Sequence, residues 1–130
     1  MIDLPLHLLF NEKEAVMAVT AELSKELGDN LVKLYLFGSK ARGDFHDDSD
    51  IDLLVIVNRL DAESRWQIRA TAANCSLQYD VLFNTHLYDK ARWDDIVRYR
   101  DTLWREVERD GIPLDDLITP LRRSLSRNSI

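Results

Sequence analysis

The chain has 130 residues, 45% of them hydrophobic and 31% charged, with only 4 Gly and 3 Pro. That composition describes one compact domain burying roughly two-thirds of its unfolded surface, and it excludes disorder, a collagenous repeat and a two-domain enzyme. Seventeen basic against 23 acidic residues leave a net charge of −6, which opposes a phosphate backbone and disfavours direct nucleic-acid binding.

The opening MIDLPLHLLF carries Asp3 and no Lys or Arg, which does not fit a signal peptide. Apolar runs stop far short of the roughly 20 residues of a membrane span, so a cytoplasmic protein with no membrane partner is expected. Residues 11–28 place Val16, Val19, Leu23 and Leu27 on one stripe, with Asn11 and Glu14 in capping-box spacing. This predicts an amphipathic helix ending near Gly28. Leu31 to Phe37 then reads as a strand with Val32, Leu34 and Leu36 on one face, followed by a polar turn from Gly38 to Gly43. Five aspartates and no Lys or Arg lie between Asp44 and Asp52, which marks either a cation site or a solvated loop. His46, in the same stretch, reads as solvated. Ile51 to Val57 is a near-continuous apolar run, as expected of a central strand covered on both faces.

Residues 62–76 predict a helix through Trp66, Ile68 and Ala72 or Ala73, and Tyr79 to Phe83 predicts a third strand. Cys75, a single cysteine, reads as a small buried hydrophobe in a reducing compartment. From His86 onward the pattern is helical, best between Asp94 and Arg109, where Ile96, Tyr99, Leu103 and Val107 form a stripe and Gly111 a stop. Trp66, Trp93 and Trp104 fall at helical positions and read as core rather than as a stacking platform. Ile112 to Leu114 suits a short edge strand, which closes a domain over residues 1–114. Residues 115–130, with Pro120, Arg122, Arg123 and Arg127, read as a tail. The order helix, strand, strand, helix, strand, helix fits a small α/β (α+β) sandwich with a mixed sheet.

The chemistry concentrates between Leu34 and Val57. Side chains alternate along a strand, so Asp50 and Asp52 point the same way with Cα atoms roughly 6.6 Å apart. In the third predicted strand Asp80 falls on the polar face; with the two strands side by side it completes a three-carboxylate cluster. Such a cluster needs hard cations, and oxygen-only ligands suit Mg²⁺ or Mn²⁺. Two-metal sites of that kind stabilise attacking and leaving oxygens in phosphoryl transfer. Gly38-Ser39, directly after an apolar strand, lets backbone amides and a hydroxyl approach phosphate oxygens. Arg42 adds a planar fork of donors for a phosphate. A lone Gly-Ser is usually a turn and a lone Asp-x-Asp often a chance acidic pair. Joined by ten residues between two apolar strands, they are far more specific.

The run Gly38-Ser39-Lys40-Ala41-Arg42-Gly43-Asp44, followed by Asp48-Ser49-Asp50-Ile51-Asp52-Leu53, resembles the signature of the DNA polymerase β-like nucleotidyltransferases. Within them it is similar to the minimal nucleotidyltransferase (MNT) group related to kanamycin nucleotidyltransferase. The resemblance is strong over residues 31–83 and extends more weakly through Trp104-Arg105-Glu106-Val107-Glu108-Arg109-Asp110-Gly111. It implies that Gly38 and Ser39 bind nucleotide phosphates, that Asp50 and Asp52 bind metals, and that Asp80 is the third carboxylate. The implied reaction transfers AMP from ATP to an acceptor hydroxyl with loss of pyrophosphate, Asp80 helping to take the hydroxyl proton. Larger relatives carry further domains that hold the acceptor, so here the acceptor is expected to be small or to bring its own surface. MNT antitoxins that adenylylate a HEPN-type ribonuclease toxin match the second option. A tyrosine of such a partner is then the expected acceptor, with Arg122, Arg123 and Arg127 as a docking segment. The competing class is an antitoxin or regulatory subunit that neutralises its partner by binding alone. A metal-dependent nuclease or phosphatase fits less well, since it has no need of Gly38-Ser39.

Overall fold

A computed structural model describes residues 4–43 and 50–115. Phe10–Leu27 forms α1, a 3₁₀ turn spans Gly28–Asn30, and Leu31–Phe37 forms β1. Ser39–Arg42 makes a single helical turn, α2, and Ile51–Val57 forms β2. Then come α3 at Ala62–Tyr79, β3 at Phe83–Asp89, α4 at Lys90–Arg98, α5 at Thr102–Asp110 and β4 at Ile112–Pro113. Among the described residues the strands form one mixed sheet ordered β3-β2-β1-β4. β1 runs antiparallel to β2 and β4, and β2 parallel to β3. This is the expected small α/β sandwich, with β2 an interior strand.

Alternation along β2 sorts the core into two layers. Ile51, Leu53, Val55 and Val57 pack with Val16, Val19, Leu23 and Leu27 of α1 and Ile68 and Cys75 of α3. Leu54 and Ile56 face the other way, against Phe37, Val107 and the partly buried Tyr88, Trp93 and Leu103. Leu53 through Val57 are all fully buried. At about 1.5–3 kcal/mol for each large apolar side chain, this strand is the main anchor of the sheet. Burial pushes the Cys75 thiol up from its ordinary value, which keeps it protonated and inert, as expected of a packing residue.

The structure departs from the predicted elements in five places. The third strand is Phe83–Asp89 rather than Tyr79 to Phe83, because α3 runs on to Tyr79, and it occupies the start of the helix expected from His86. Glu12, not Glu14, closes the start of α1, its Oε1 accepting the Leu9 N–H at 2.8 Å. A register shift between Leu31 and Lys33 keeps Leu31, Leu34 and Leu36 on the α1 side and sends Val32 to the α5 side with Tyr35. The long C-terminal helix is two helices. Arg100 adopts φ 50 and the Asp101 carboxylate accepts the Leu103 N–H at 3.2 Å, restarting the chain as α5. Tyr99 is 75% exposed as a result. Trp66, expected in the core, is 73% exposed on α3, because Ile68, Ala72 and Cys75 supply the buried stripe instead.

The start of α3 is set by reciprocal hydrogen bonds. The Asp61 carboxylate accepts the Ser64 N–H at 2.8 Å, and the Ser64 hydroxyl accepts the Asp61 N–H at 3.0 Å. The bond from the Ser64 amide is the main reason the Asp61 carboxyl is held below its ordinary 3.8. A depressed folded-state pKa contributes stability above the unfolded value, which is lost as pH falls through the folded one. Asp61→Ala is therefore expected to melt a few degrees below wild type at neutral pH. The gap should close as the pH falls below about 3.8, as read by thermal melts across the acid range.

No helix among the described residues is long and apolar enough to cross a membrane. The acidic stretch with Asp44, His46, Asp47 and Asp48, and the tail positions Arg122, Arg123 and Arg127, lie outside the described residues.

Candidate active site

Antiparallel pairing sets Phe37, the last residue of β1, opposite Asp52, the second residue of β2. The turn that leaves β1 is thereby delivered to the carboxylate end of β2. Gly38 adopts φ 80 and ψ −161, a conformation open to glycine. A Cβ placed there would stand 2.3 Å from Asp52 Oδ2. The absence of a side chain thus brings the backbone of the Gly38-Ser39 turn against the carboxylate. Asp50 is exposed just before the strand, and Asp52 is half-buried.

Beneath the turn, α2 is pinned to α1. The Lys40 side chain is fully buried, and its Nζ lies 2.6 Å from Glu12 Oε2. The His7 ring Nε2 donates to the Lys40 carbonyl, and the same ring lies against Gly43, which takes a left-handed φ of 91. The Ala41 and Arg42 N–H groups both return to the Gly38 carbonyl at 3.1 Å. The Gly38-Ser39 turn is therefore held in place by α1 and the segment before it.

Asp52 Oδ1 is engaged by β3. The parallel register pairs Asp52 with Asn84 and Leu54 with His86, so both β3 side chains share the face of Asp52. Asn84 Nδ2 donates to Asp52 Oδ1 at 3.0 Å, and His86 Nε2 lies 3.2 Å from the same oxygen. The His86 ring meets Phe37 edge-on, with centroids 4.9 Å apart and planes at 66°.

The structure brings Asp50, Asp52, Gly38 and Ser39 to one end of the sheet. Asp80 stands ahead of β3 at that end but outside the strand, and the Arg42 side chain reaches Asp110. Asp80 is not on a strand: it is the C-cap of α3, with a left-handed φ of 56, four positions ahead of the residue that faces Asp52. Asn11 Nδ2 fastens this corner by donating to the Tyr79 carbonyl at 2.8 Å. The expected three-carboxylate cluster is thus not assembled, and among the described residues no three His, Cys, Asp or Glu are gathered for a metal. Arg42 is directed to α5 instead, its Nη1 3.5 Å from Asp110 Oδ2, which also pairs with Arg109 at 2.8 Å. Two carboxylates remain a sound donor set for a hard cation that fills its other positions with water and phosphate oxygens. Sequence reasoning missed Lys40, Glu12, Asn84 and His86. For the last two, the alternation of Asn84, His86 and Tyr88 against Phe83, Thr85 and Leu87 was the available signal.

The mixed sheet joins a glycine-led turn to an Asp-x-Asp pair at the start of β2. Residues 18–113 match the family described as the nucleotidyltransferase domain, and the chain belongs to that family of enzymes. It is similar to the provisionally named protein adenylyltransferase MJ0141 of Methanocaldococcus jannaschii, 35% identical over 78 residues that cover 59% of this chain and 79% of that protein. A second, equally provisional adenylyltransferase of that organism, MJ0604, is 39% identical over 46 residues, covering 35% of this chain and 46% of its own length. Among solved structures, a variant of the toxin–antitoxin pair MntA–HpeT aligns over 92% of this chain and 89% of its own, at 23% identity and a TM-score of 0.49. A tri-AMPylated HEPN toxin in complex with MNT antitoxin, from Shewanella oneidensis, aligns over 89% and 87%, at 21% identity and a TM-score of 0.45.

Proposed function

We propose that the chain is an antitoxin that transfers AMP from Mg-bound ATP to a hydroxyl of a HEPN-type ribonuclease partner. The observation that supports this reading is the close approach of the Gly38 backbone to Asp52 Oδ2, an arrangement suited to a phosphate beside a carboxylate-held cation. The similarity to a protein provisionally named as a protein adenylyltransferase supports a protein acceptor. Asp50 and Asp52 would hold Mg²⁺, which when bound compensates the charge of the triphosphate. The Gly38-Ser39 backbone and the Ser39 hydroxyl hold phosphate oxygens, and the pinned α2 keeps them in place before the acceptor arrives. The acceptor oxygen bonds to the α-phosphorus as the bond to pyrophosphate breaks, and the hydroxyl proton passes to water.

Co-expression and co-purification with a HEPN-type ribonuclease, followed by intact mass with ATP, tests this. The partner is expected to gain AMP-sized increments with the wild-type protein and none with an Asp50→Asn, Asp52→Asn variant. One observation favours the second reading, neutralisation by binding alone: Asp52 already spends one oxygen on Asn84 and His86, and among the described residues no third carboxylate joins it. That reading wins if the partner stays unmodified while the double variant protects cells as well as the wild type does.

Gly38→Ala is expected to weaken ATP binding tenfold or more, because the new methyl group collides with Asp52 Oδ2 at a backbone φ that also strains alanine. Calorimetric titration with Mg-ATP, alongside a thermal melt, checks it. Unchanged affinity would show that nucleotide does not sit at this turn.

A further inference from the structure

The side of Asp52 that faces β3 is closed by Asn84 and His86. Asn84 stands in register with Asp52 and donates to Oδ1 at 3.0 Å. His86 approaches the same oxygen at 3.2 Å, its ring fixed edge-on against Phe37. Oδ2 is the oxygen turned to the Gly38 backbone. We infer that the site takes one divalent cation with its nucleotide rather than a pair, because Asn84 and His86 hold the oxygen and the space that a second ion needs. The inference rests on the nucleotidyl-transfer reading given above.

The coordination of Asp52 supports it. Ions roughly 3.5–4 Å apart are joined by a carboxylate that gives one oxygen to each. Asp52 cannot do so while Oδ1 accepts two N–H donors. Turning the Asn84 amide offers no escape, since its oxygen would then face Asp52 Oδ1, acceptor against acceptor. The register position facing Asp52 from β3 is held by Asn84, a neutral amide, and Asp80, the cap of α3, does not fill it. A single cation on the triphosphate, held by Asp50 and Asp52 Oδ2, is what this donor set satisfies.

Equilibrium dialysis of the intact chain with Mn²⁺ and a non-hydrolysable ATP analogue tests the stoichiometry, with bound metal and bound nucleotide both counted. One Mn²⁺ per bound nucleotide is expected. Two per nucleotide overturns the inference while leaving the transfer reading standing. Asn84→Asp supplies an anion in the same register, and is expected to raise the count to two, with the pair visible as spin-coupled Mn²⁺ by electron paramagnetic resonance. A count that stays at one in Asn84→Asp, in protein whose thermal melt matches wild type, removes Asn84 as the limiting group. Wild-type protein that retains neither nucleotide nor Mn²⁺ overturns the transfer reading, and this inference with it.

Discussion

Replacing Asp50 and Asp52 together by Asn is expected to lower AMP transfer by about three orders of magnitude or more, the scale of removing several kcal/mol of charge stabilisation from the transition state. The fold should survive. Asp50 is exposed and Asp52 half-buried, and neither contributes to the apolar layers that hold β2. Asn at position 52 keeps a carbonyl oxygen for the Asn84 donor, and removal of adjacent like charge relieves repulsion. Transfer of labelled AMP to the partner, read beside a thermal melt, separates the two effects. A folded variant that still transfers AMP near the wild-type rate would remove both aspartates from the chemistry.

Single substitutions at the Glu12–Lys40 pair are expected to cost about 3 kcal/mol or more, roughly 10 °C in melting temperature for a chain of this size. The ammonium is fully buried 2.6 Å from its carboxylate, so Lys40→Met strands an anion and Glu12→Gln strands a cation. The double variant, Glu12→Gln with Lys40→Met, is expected to be more stable than either single one, because no charge is left without its partner. Gln also keeps an oxygen for the Leu9 N–H that Glu12 now accepts. Thermal denaturation of the four proteins gives the coupling directly. Additive losses would show that the pair acts through packing alone.

These residues mark how far the sequence could be read. Leu31–Phe37 and Ile51–Val57 are strands with the predicted bounds, and the two faces predicted for β2 are the two faces of the core. Both are local patterns, an apolar run and a period of two. Gly38, Ser39, Asp50 and Asp52 lie next to those strands, so their meeting followed from the hairpin. The third strand was not legible in the same way. Helix α3 runs on through Gln78 and Tyr79 and stops at Asp80 without a glycine, an aspartate taking the left-handed turn instead. The real strand begins at Phe83, and its alternation is blurred by Asn84, Thr85 and His86, polar on both faces. Lys40 inside a polar turn looks like a solvated charge, and only tertiary packing shows Glu12 above it. The pairing of Arg42 with Asp110 was equally hidden, since the two are far apart along the chain.

The two-residue strand β4 has a consequence for synthesis. Ile112 and Pro113 pair with Leu36 and Tyr35 of β1, and the Leu114 N–H donates to the Leu34 carbonyl at 2.7 Å. On the ribosome, β1 and β2 emerge long before this cover does, so the nascent domain carries an open hydrogen-bonding edge beside fully buried leucines. A chain stalled in that interval offers a template to any neighbouring strand. Release of Ile112 to Leu114 ends the exposure, and Pro113, having no N–H to donate, weakens the new rim as a template for another strand.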